Sequence, residues 1–108
     1  QVACVKWFRL QYPEYAKMLI SVPNGGKRSN GRFLNAEGMT AGAADLLLLI
    51  PSNGFGCLCI EMKYGSGKLS NNQKEWLHKS QSFGNKCIVC YTFDEFISNV
   101  NDYLIKKL

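Results

Sequence analysis

Apolar residues recur at Val2, Val5 and Phe8 in the opening stretch VACVKWFRLQ, with Trp7 and Leu10 beside them. That spacing predicts an amphipathic helix ending before Pro13, whose ring cannot continue it. A short helical turn is expected over Glu14 to Met18, and LISV then reads as a strand. The strand breaks at PNGGKRSNG, a stretch dense in turn-forming residues. Ser29 or Asn30 is a candidate cap for a short helix through Glu37, closed by Gly38. The pattern then changes, because ADLLLLI is a continuous apolar run of the kind that fills a strand buried on both faces. PSNGFG is a turn, and it leads into a second buried strand, CLCIEMKYG, so the two make a hairpin.

In LSNNQKEWLHKSQSFG, Ser70 followed by Gln73 forms a capping-box pattern, and Gly84 supplies the C-terminal stop. Gln73, Trp76, Leu77 and Ser80 fall on one stripe of the predicted helix. CIVCYT reads as a fourth strand, after which Asp94 opens a last helix with Ile97, Val100, Tyr103 and Leu104 at helical spacing. A strand, a helix and another strand predict a parallel pair with a right-handed crossover. The expected fold is therefore α/β, a mixed four-stranded sheet flanked by helices, in one domain over residues 1–108.

Composition narrows the class without choosing a function. The chain is 46% hydrophobic and 19% charged, which fits a globular domain rather than a disordered or membrane-spanning one. Its longest aliphatic run, Leu46 to Ile50, is far short of a membrane span, and no signal-peptide pattern opens it. The first residue is Gln1 rather than Met, so further residues are expected upstream. A net charge of +5 suits a polyanionic partner such as nucleic acid. The five cysteines (Cys4, Cys57, Cys59, Cys87 and Cys90) are expected to be free buried thiols. A Cys-x-Cys and a Cys-x-x-Cys invite a zinc site, but both lie on predicted strands, where Cys87 and Cys90 face opposite sides. A single histidine, His78, excludes a mechanism built on paired histidines and is expected on a solvated helix face.

The charged end of CLCIEMKYG raises the chemical question. Side chains alternate along a strand, so Glu61 and Lys63 share a face and Met62 takes the other. A hairpin turn centred on Asn53 places Asp45 directly across from Glu61. Opposed residues have Cβ atoms only about 5 Å apart, and like charges there are destabilising, so a cation is expected between them. Lys63 stands one step further along, and a hard divalent metal fits better. Mg²⁺ accepts one or two carboxylates and keeps several waters. Gln73 either closes the capping box with Ser70 or points inward with Trp76, and the pattern supports both. Lys27, Arg28 and Arg32 sit among glycines in a loop that is not a Walker motif, since Ser21 replaces its first glycine. That loop suits phosphate contact, as it does a plain connection. Lys68, Lys74 and Lys79 either follow a DNA backbone or keep the surface soluble.

Asp45, then Glu61-Met62-Lys63 after a hairpin, then Gln73 near a helix start together resemble the PD-(D/E)xK nuclease superfamily. Within it, PNGGKR, AEGMTAGAADLLL, IEMKYGSGKLSNNQKEWL and NKCIVC are similar to the VRR-NUC family, over nearly the whole chain. Ala44 departs from the proline of the superfamily pattern, and Gln1 matches the first-helix glutamine without the acidic residue usually upstream of it. The resemblance implies a restriction-endonuclease-like core and a metal-dependent DNA endonuclease acting on branched or structured DNA in replication, recombination or repair. It implies that Asp45, Glu61 and the Met62 carbonyl bind Mg²⁺, with Mn²⁺ able to substitute. Lys63 would orient or deprotonate the attacking water and offset phosphate charge, Gln73 would hold Lys63 or that water, and Gln1 would lend support. DNA is the implied partner, in the cytoplasm of a bacterial or phage-infected host, with no membrane and no organic cofactor. A homodimer like that of Holliday-junction resolvases is also implied. Phe93, Phe96, Ile97, Val100, Tyr103, Leu104 and Leu108 agree with it, being more apolar surface than one helix needs to cover a sheet face. Two alternatives remain: a catalytically silent nucleic-acid-binding module, which has no physical need of the Asp45, Glu61 and Lys63 set, and a zinc-binding interaction domain.

Overall fold

The computed structural model describes residues 1–23 and 38–105. The chain runs through helix α1 (Val2–Gln11), a 3-10 helix (Pro13–Met18), and strands β1 (Leu19–Ser21), β2 (Leu46–Leu48) and β3 (Leu58–Met62). Helix α2 (Asn71–Ser82), strand β4 (Lys86–Cys90) and helix α3 (Phe93–Leu104) complete it. The strands form one sheet in the order β1-β2-β3-β4. β1/β2 and β2/β3 are antiparallel, while β3/β4 is parallel, with α2 as the crossover. The expected mixed four-stranded α/β fold is thus observed. The helix expected from Ser29 or Asn30 to Glu37 lies outside the described residues.

Alternation along the strands sorts the core into two layers. Leu46, Leu48, Leu58, Ile60 and Cys90 pack with Phe8 of α1 and with Phe96 and Val100 of α3. On the opposite face Cys59 packs with Ala44 and with Leu77 of α2, and Leu47, Cys87 and Val89 cover that group. The hairpin turn carries φ 51° at Asn53 and φ 88° at Gly54. Two successive left-handed residues make the turn whose twist matches flanking antiparallel strands. The turn closes Ser52 against Phe55, and one more residue on the β2 side than on the β3 side then separates it from the ladder, which pairs Leu46 with Ile60, Leu47 with Cys59 and Leu48 with Leu58, the register expected of a turn centred on Asn53.

The elements depart from expectation where tertiary contacts intervene. β2 stops at Leu48 although the apolar run continues. Leu49 is 45% exposed, and the Ile50 carbonyl accepts from the Tyr103 hydroxyl of α3 at 2.6 Å, which draws the chain off the ladder. The last helix is capped by Thr92, not opened by Asp94, and Thr92 Oγ1 accepts from the Glu95 amide at 3.0 Å. That start puts Asp94 and Glu95 in the first turn, where the helix dipole favours carboxylates. The apolar excess of α3 is mostly used inside the chain: Phe96, Val100 and Tyr103 are buried, Ile97 and Leu104 are half-buried, and Phe93 is exposed. Leu108 lies outside the described residues. Among the described residues no helix is long and apolar enough to cross a membrane.

One glycine fixes how the loop before β2 meets α2. Gly42 has φ +84°, and a Cβ there would lie 2.3 Å from the Asn72 carbonyl oxygen and 2.8 Å from the Gln73 amide nitrogen. Both neighbours are helix backbone, so neither can yield without unwinding the first turn of α2. Gly84 has φ +96° but nothing within 4 Å of its added Cβ. Gly42→Ala is therefore expected to destabilise by at least about 2 kcal/mol, and Gly84→Ala by only about 1 kcal/mol, the cost of a left-handed alanine alone. Urea midpoints measured at constant m-value compare the two. Equal losses would mean that the close approach to α2 is not needed.

Candidate active site

Strand alternation puts Glu61 on the face that packs under α2, with Cys59, and Met62 on the other, with Phe8. Glu61 is 1% exposed at the end of a central strand. Extending the β2/β3 register by one step sets Asp45 across from it. Asp45 is anchored on both sides: its carbonyl accepts from the Val22 amide at 2.8 Å, and its Oδ2 accepts from the Met62 amide at 2.8 Å. Lys63 prolongs the parallel ladder, its amide donating to the Cys90 carbonyl at 2.9 Å.

Gln73 ties α2 to this strand end. Ser70 Oγ accepts from the Gln73 amide at 3.2 Å, and Gln73 Oε1 accepts from the Ser70 amide at 2.9 Å, which completes the capping box. The same Oε1 accepts from Lys63 Nζ at 2.8 Å, while Gln73 Nε2 donates to Glu61 Oε2 at 3.1 Å. An ammonium can only donate and a carboxylate only accept, so its two partners set the orientation of the amide. The two roles open to Gln73 in the sequence are filled together. Lys63 Nζ also lies 3.6 Å from Glu61 Oε2, with 17% of the lysine side chain exposed.

Burial first, then the charge and hydrogen bond of Asp45, pushes the Glu61 carboxyl up to about 7, against the opposing pull of Lys63. Glu61 Oε1 is buried and, among the described residues, has no hydrogen-bond partner. A hard divalent cation fits this arrangement, because it would satisfy the unpartnered oxygen and offset two adjacent carboxylates at once. Among the described residues no group of three or more His, Cys, Asp or Glu side chains is placed to hold a metal. Two carboxylates, the Met62 carbonyl and water suit Mg²⁺ or Mn²⁺, which need no larger protein cage.

The remaining candidates spread more widely. Gln1 caps α1, and its main-chain nitrogen donates to Tyr64 Oη at 3.3 Å. That places it beside the strand end, and no described contact brings it to the carboxylates. Lys68 is exposed in the loop between Lys63 and α2, and Lys74, His78 and Lys79 are exposed on α2 itself. Lys27, Arg28 and Arg32 lie outside the described residues. All five cysteines are free thiols. Cys59 meets Cys57 and Ser80 Oγ at 3.8 and 3.4 Å, and Cys57, Cys59 and Cys87 share one face of the sheet while Cys90 packs on the other, but among the described residues no three ligating side chains are placed to hold a metal. Sequence reasoning missed Gly42 and Ala44. Ala44 is fully buried in the small core layer with Cys59 and Leu77. The small-residue run AGAA just before Asp45 was the available signal for this close packing.

The model of the VRR-NUC domain family matches residues 2–94 of the chain. A solved structure described as "VRR_NUC domain protein" superposes with a TM-score of 0.85 at 22% identity, covering 96% of this chain and 84% of that one. At that identity the likeness is one of fold. No curated protein matches the chain.

The opposed carboxylates make a prediction that needs no substrate. In metal-free protein, Asp45→Asn removes one of two like charges and keeps an oxygen for the Met62 amide. It is expected to stabilise by about 0.5–1 kcal/mol, a rise of roughly 2–5 °C in melting temperature. Millimolar Mg²⁺ should raise the melting temperature of the wild type and leave Asp45→Asn unmoved. Thermal melts with and without a chelator check both, and an equal response to Mg²⁺ in the two proteins would remove Asp45 from the site.

Proposed function

The chain belongs to the VRR-NUC domain family, and on that premise we propose that it is a metal-dependent DNA endonuclease that hydrolyses phosphodiester bonds in branched or structured DNA. The observation that carries this reading is the buried, unpartnered Glu61 Oε1 beside Asp45, with Lys63 held against the same carboxylate by Gln73. Most buried polar atoms find a hydrogen-bond partner, so a carboxylate oxygen without one among the described residues, at 1% exposure, favours a site for a cation over a purely structural ion pair.

Asp45, Glu61 and the Met62 carbonyl are the groups that would hold Mg²⁺ or Mn²⁺. Such an ion supplies Lewis acidity toward the phosphate oxygens and lowers the pKa of water. The chain's own side chains divide the rest of the work. Gln73 keeps Lys63 Nζ at the strand end with a 2.8 Å hydrogen bond, so the ammonium does not swing into solvent. The partly exposed head of Lys63 can then meet a scissile phosphate and orient the attacking water. As negative charge builds on the phosphate and leaving-group oxygens in the transition state, the same positive group would offset it from a fixed position. Burial of Glu61 keeps bulk water from weakening these interactions. In the same reading the protein acts as a homodimer, because symmetric cutting of two strands needs two sites at a fixed separation.

Cleavage of labelled single-stranded, duplex, flap and four-way-junction DNAs in Mg²⁺ or Mn²⁺ tests the activity. Wild type is expected to cut, and Asp45→Asn and Glu61→Gln to lose cutting entirely. Binding without any cutting by the wild type would leave a silent nucleic-acid-binding module in its place. Lys63→Ala is expected to lower turnover by about a hundredfold or more while DNA affinity in Ca²⁺ stays within a few-fold, the mark of an interaction made in the transition state. Lost affinity with unchanged turnover would reduce Lys63 to a phosphate contact. Light scattering is expected to give twice the 12.1 kDa chain mass, and a clean monomer on DNA would leave single-site nicking instead.

A further inference from the structure

The strand end that carries Glu61 and Lys63 is lined with aromatic side chains that the core does not use. Four aromatic residues are exposed among those described: Tyr64 at 69%, Phe83 at 78%, Tyr91 at 41% and Phe93 at 42%. Tyr64, Tyr91 and Phe93 all follow directly on the C-terminal ends of β3 and β4, the end where Asp45, Glu61 and Lys63 meet. Phe83 lies at the other end of α2.

Tyr91 is the best placed of the three. The Lys63 amide donates to the Cys90 carbonyl, so the parallel ladder that pairs Met62 with Cys90 next pairs Lys63 with Tyr91. Cys87 and Val89 pack on the α2 face, and alternation puts Tyr91 on that face too, the one that Lys63 shares. Neighbouring strands run about 4.8 Å apart, so the Tyr91 backbone stands one strand spacing from that of Lys63. Its main chain is held, the Tyr91 amide donating to Glu95 Oε1 at 3.1 Å. The ring belongs to neither core cluster, and among the described residues its hydroxyl has no partner. A large ring on an anchored backbone, solvent-facing and adjacent to the proposed phosphate-contacting lysine, has the properties of a stacking platform.

We infer that Tyr91 stacks on an unpaired nucleobase next to the scissile phosphate, so that the substrate is DNA whose strand is single or splayed at the point of cutting. The inference rests on the nuclease reading and deepens it. A base within an intact duplex offers its faces only to its neighbours in the stack, whereas an unpaired base is open to an aromatic ring. Every base has such a face, so the selectivity is for strand structure and not for sequence.

The test uses the whole protein and a duplex with a single-stranded arm that carries 2-aminopurine next to the junction, bound in Ca²⁺. Wild type is expected to quench the probe. Tyr91→Ala should lose the quench and bind the armed DNA about fivefold or more weakly, the lower end of what one base–aromatic stack contributes, with continuous duplex affected less than twofold. Tyr91→Phe keeps the ring and should retain both properties, and Phe83→Ala should change neither. In Mn²⁺ the preference of the wild type for armed over continuous DNA should fall by the same factor in Tyr91→Ala. Retained quenching in Tyr91→Ala, or an equal loss on both DNAs, overturns the assignment. A wild type that cuts nothing overturns the nuclease reading instead, while quench and affinity still decide whether Tyr91 stacks.

Discussion

A carboxylate buried to 1% exposure at the end of a central strand is the constraint around which the rest of this structure is arranged. Taking an anion out of water costs several kcal/mol unless partners replace the lost hydration. Glu61 receives those partners at Oε2 alone, from the Gln73 amide at 3.1 Å and the Lys63 ammonium at 3.6 Å. Its other oxygen has none among the described residues, and burial, followed by the charge and hydrogen bond of Asp45, pushes its pKa up to about 7. A fold that tolerates this point of electrostatic strain is stable in spite of its site. In the proposed reading a divalent cation would relieve the same strain.

The arrangement is held by three segments far apart in the chain. The hairpin turn at Asn53 and Gly54 brings Asp45 to Glu61, and the crossover through α2 brings Gln73 down onto the same strand end. Gly42 then lets the loop before Asp45 lie against the first turn of α2, at a separation no side chain could share. The helix start that orients Lys63 is thereby in contact with the loop that positions Asp45. Gln73 makes this coupling tight, since one amide group both caps the helix and joins the carboxylate to the lysine. A disturbance of the cap is a disturbance of the chemistry.

The elements were legible because their signals are local. A 3.6-residue repeat, a continuous apolar run, a Ser70–Gln73 capping box and an Asn-Gly turn each act through neighbours a few residues away. The Asn-Gly turn was legible, but the strands pair one residue out of step with it: Ser52 closes on Phe55, while Leu48 meets Leu58, with one more residue on the β2 side between the two pairs. Where sequence reasoning went astray, the cause was long-range. The bond from Tyr103 to Ile50 accompanies the early end of β2, and the chain's own core takes up Phe96, Val100 and Tyr103 of α3. The cap of α3 is an exception, since Thr92 followed three residues later by Glu95 is a local signal that the choice of Asp94 passed over.

The sequence by itself determined which residues are available for chemistry and on which face of which element each one stands. Asp45, Glu61, Lys63 and Gln73 follow from strand alternation, hairpin symmetry and helix spacing, together with the resemblance that their order carries. Only the tertiary structure decided what these residues do to one another. That Gln73 joins the cap to Glu61 and Lys63 with one amide, that Glu61 Oε1 has no partner among the described residues, and that Tyr91 is exposed where the Lys63 amide meets the Cys90 carbonyl depend on how segments tens of residues apart converge. Periodicity is a property of a stretch of chain, whereas hydrogen-bond partnership and exposure at a strand end belong to the packed whole.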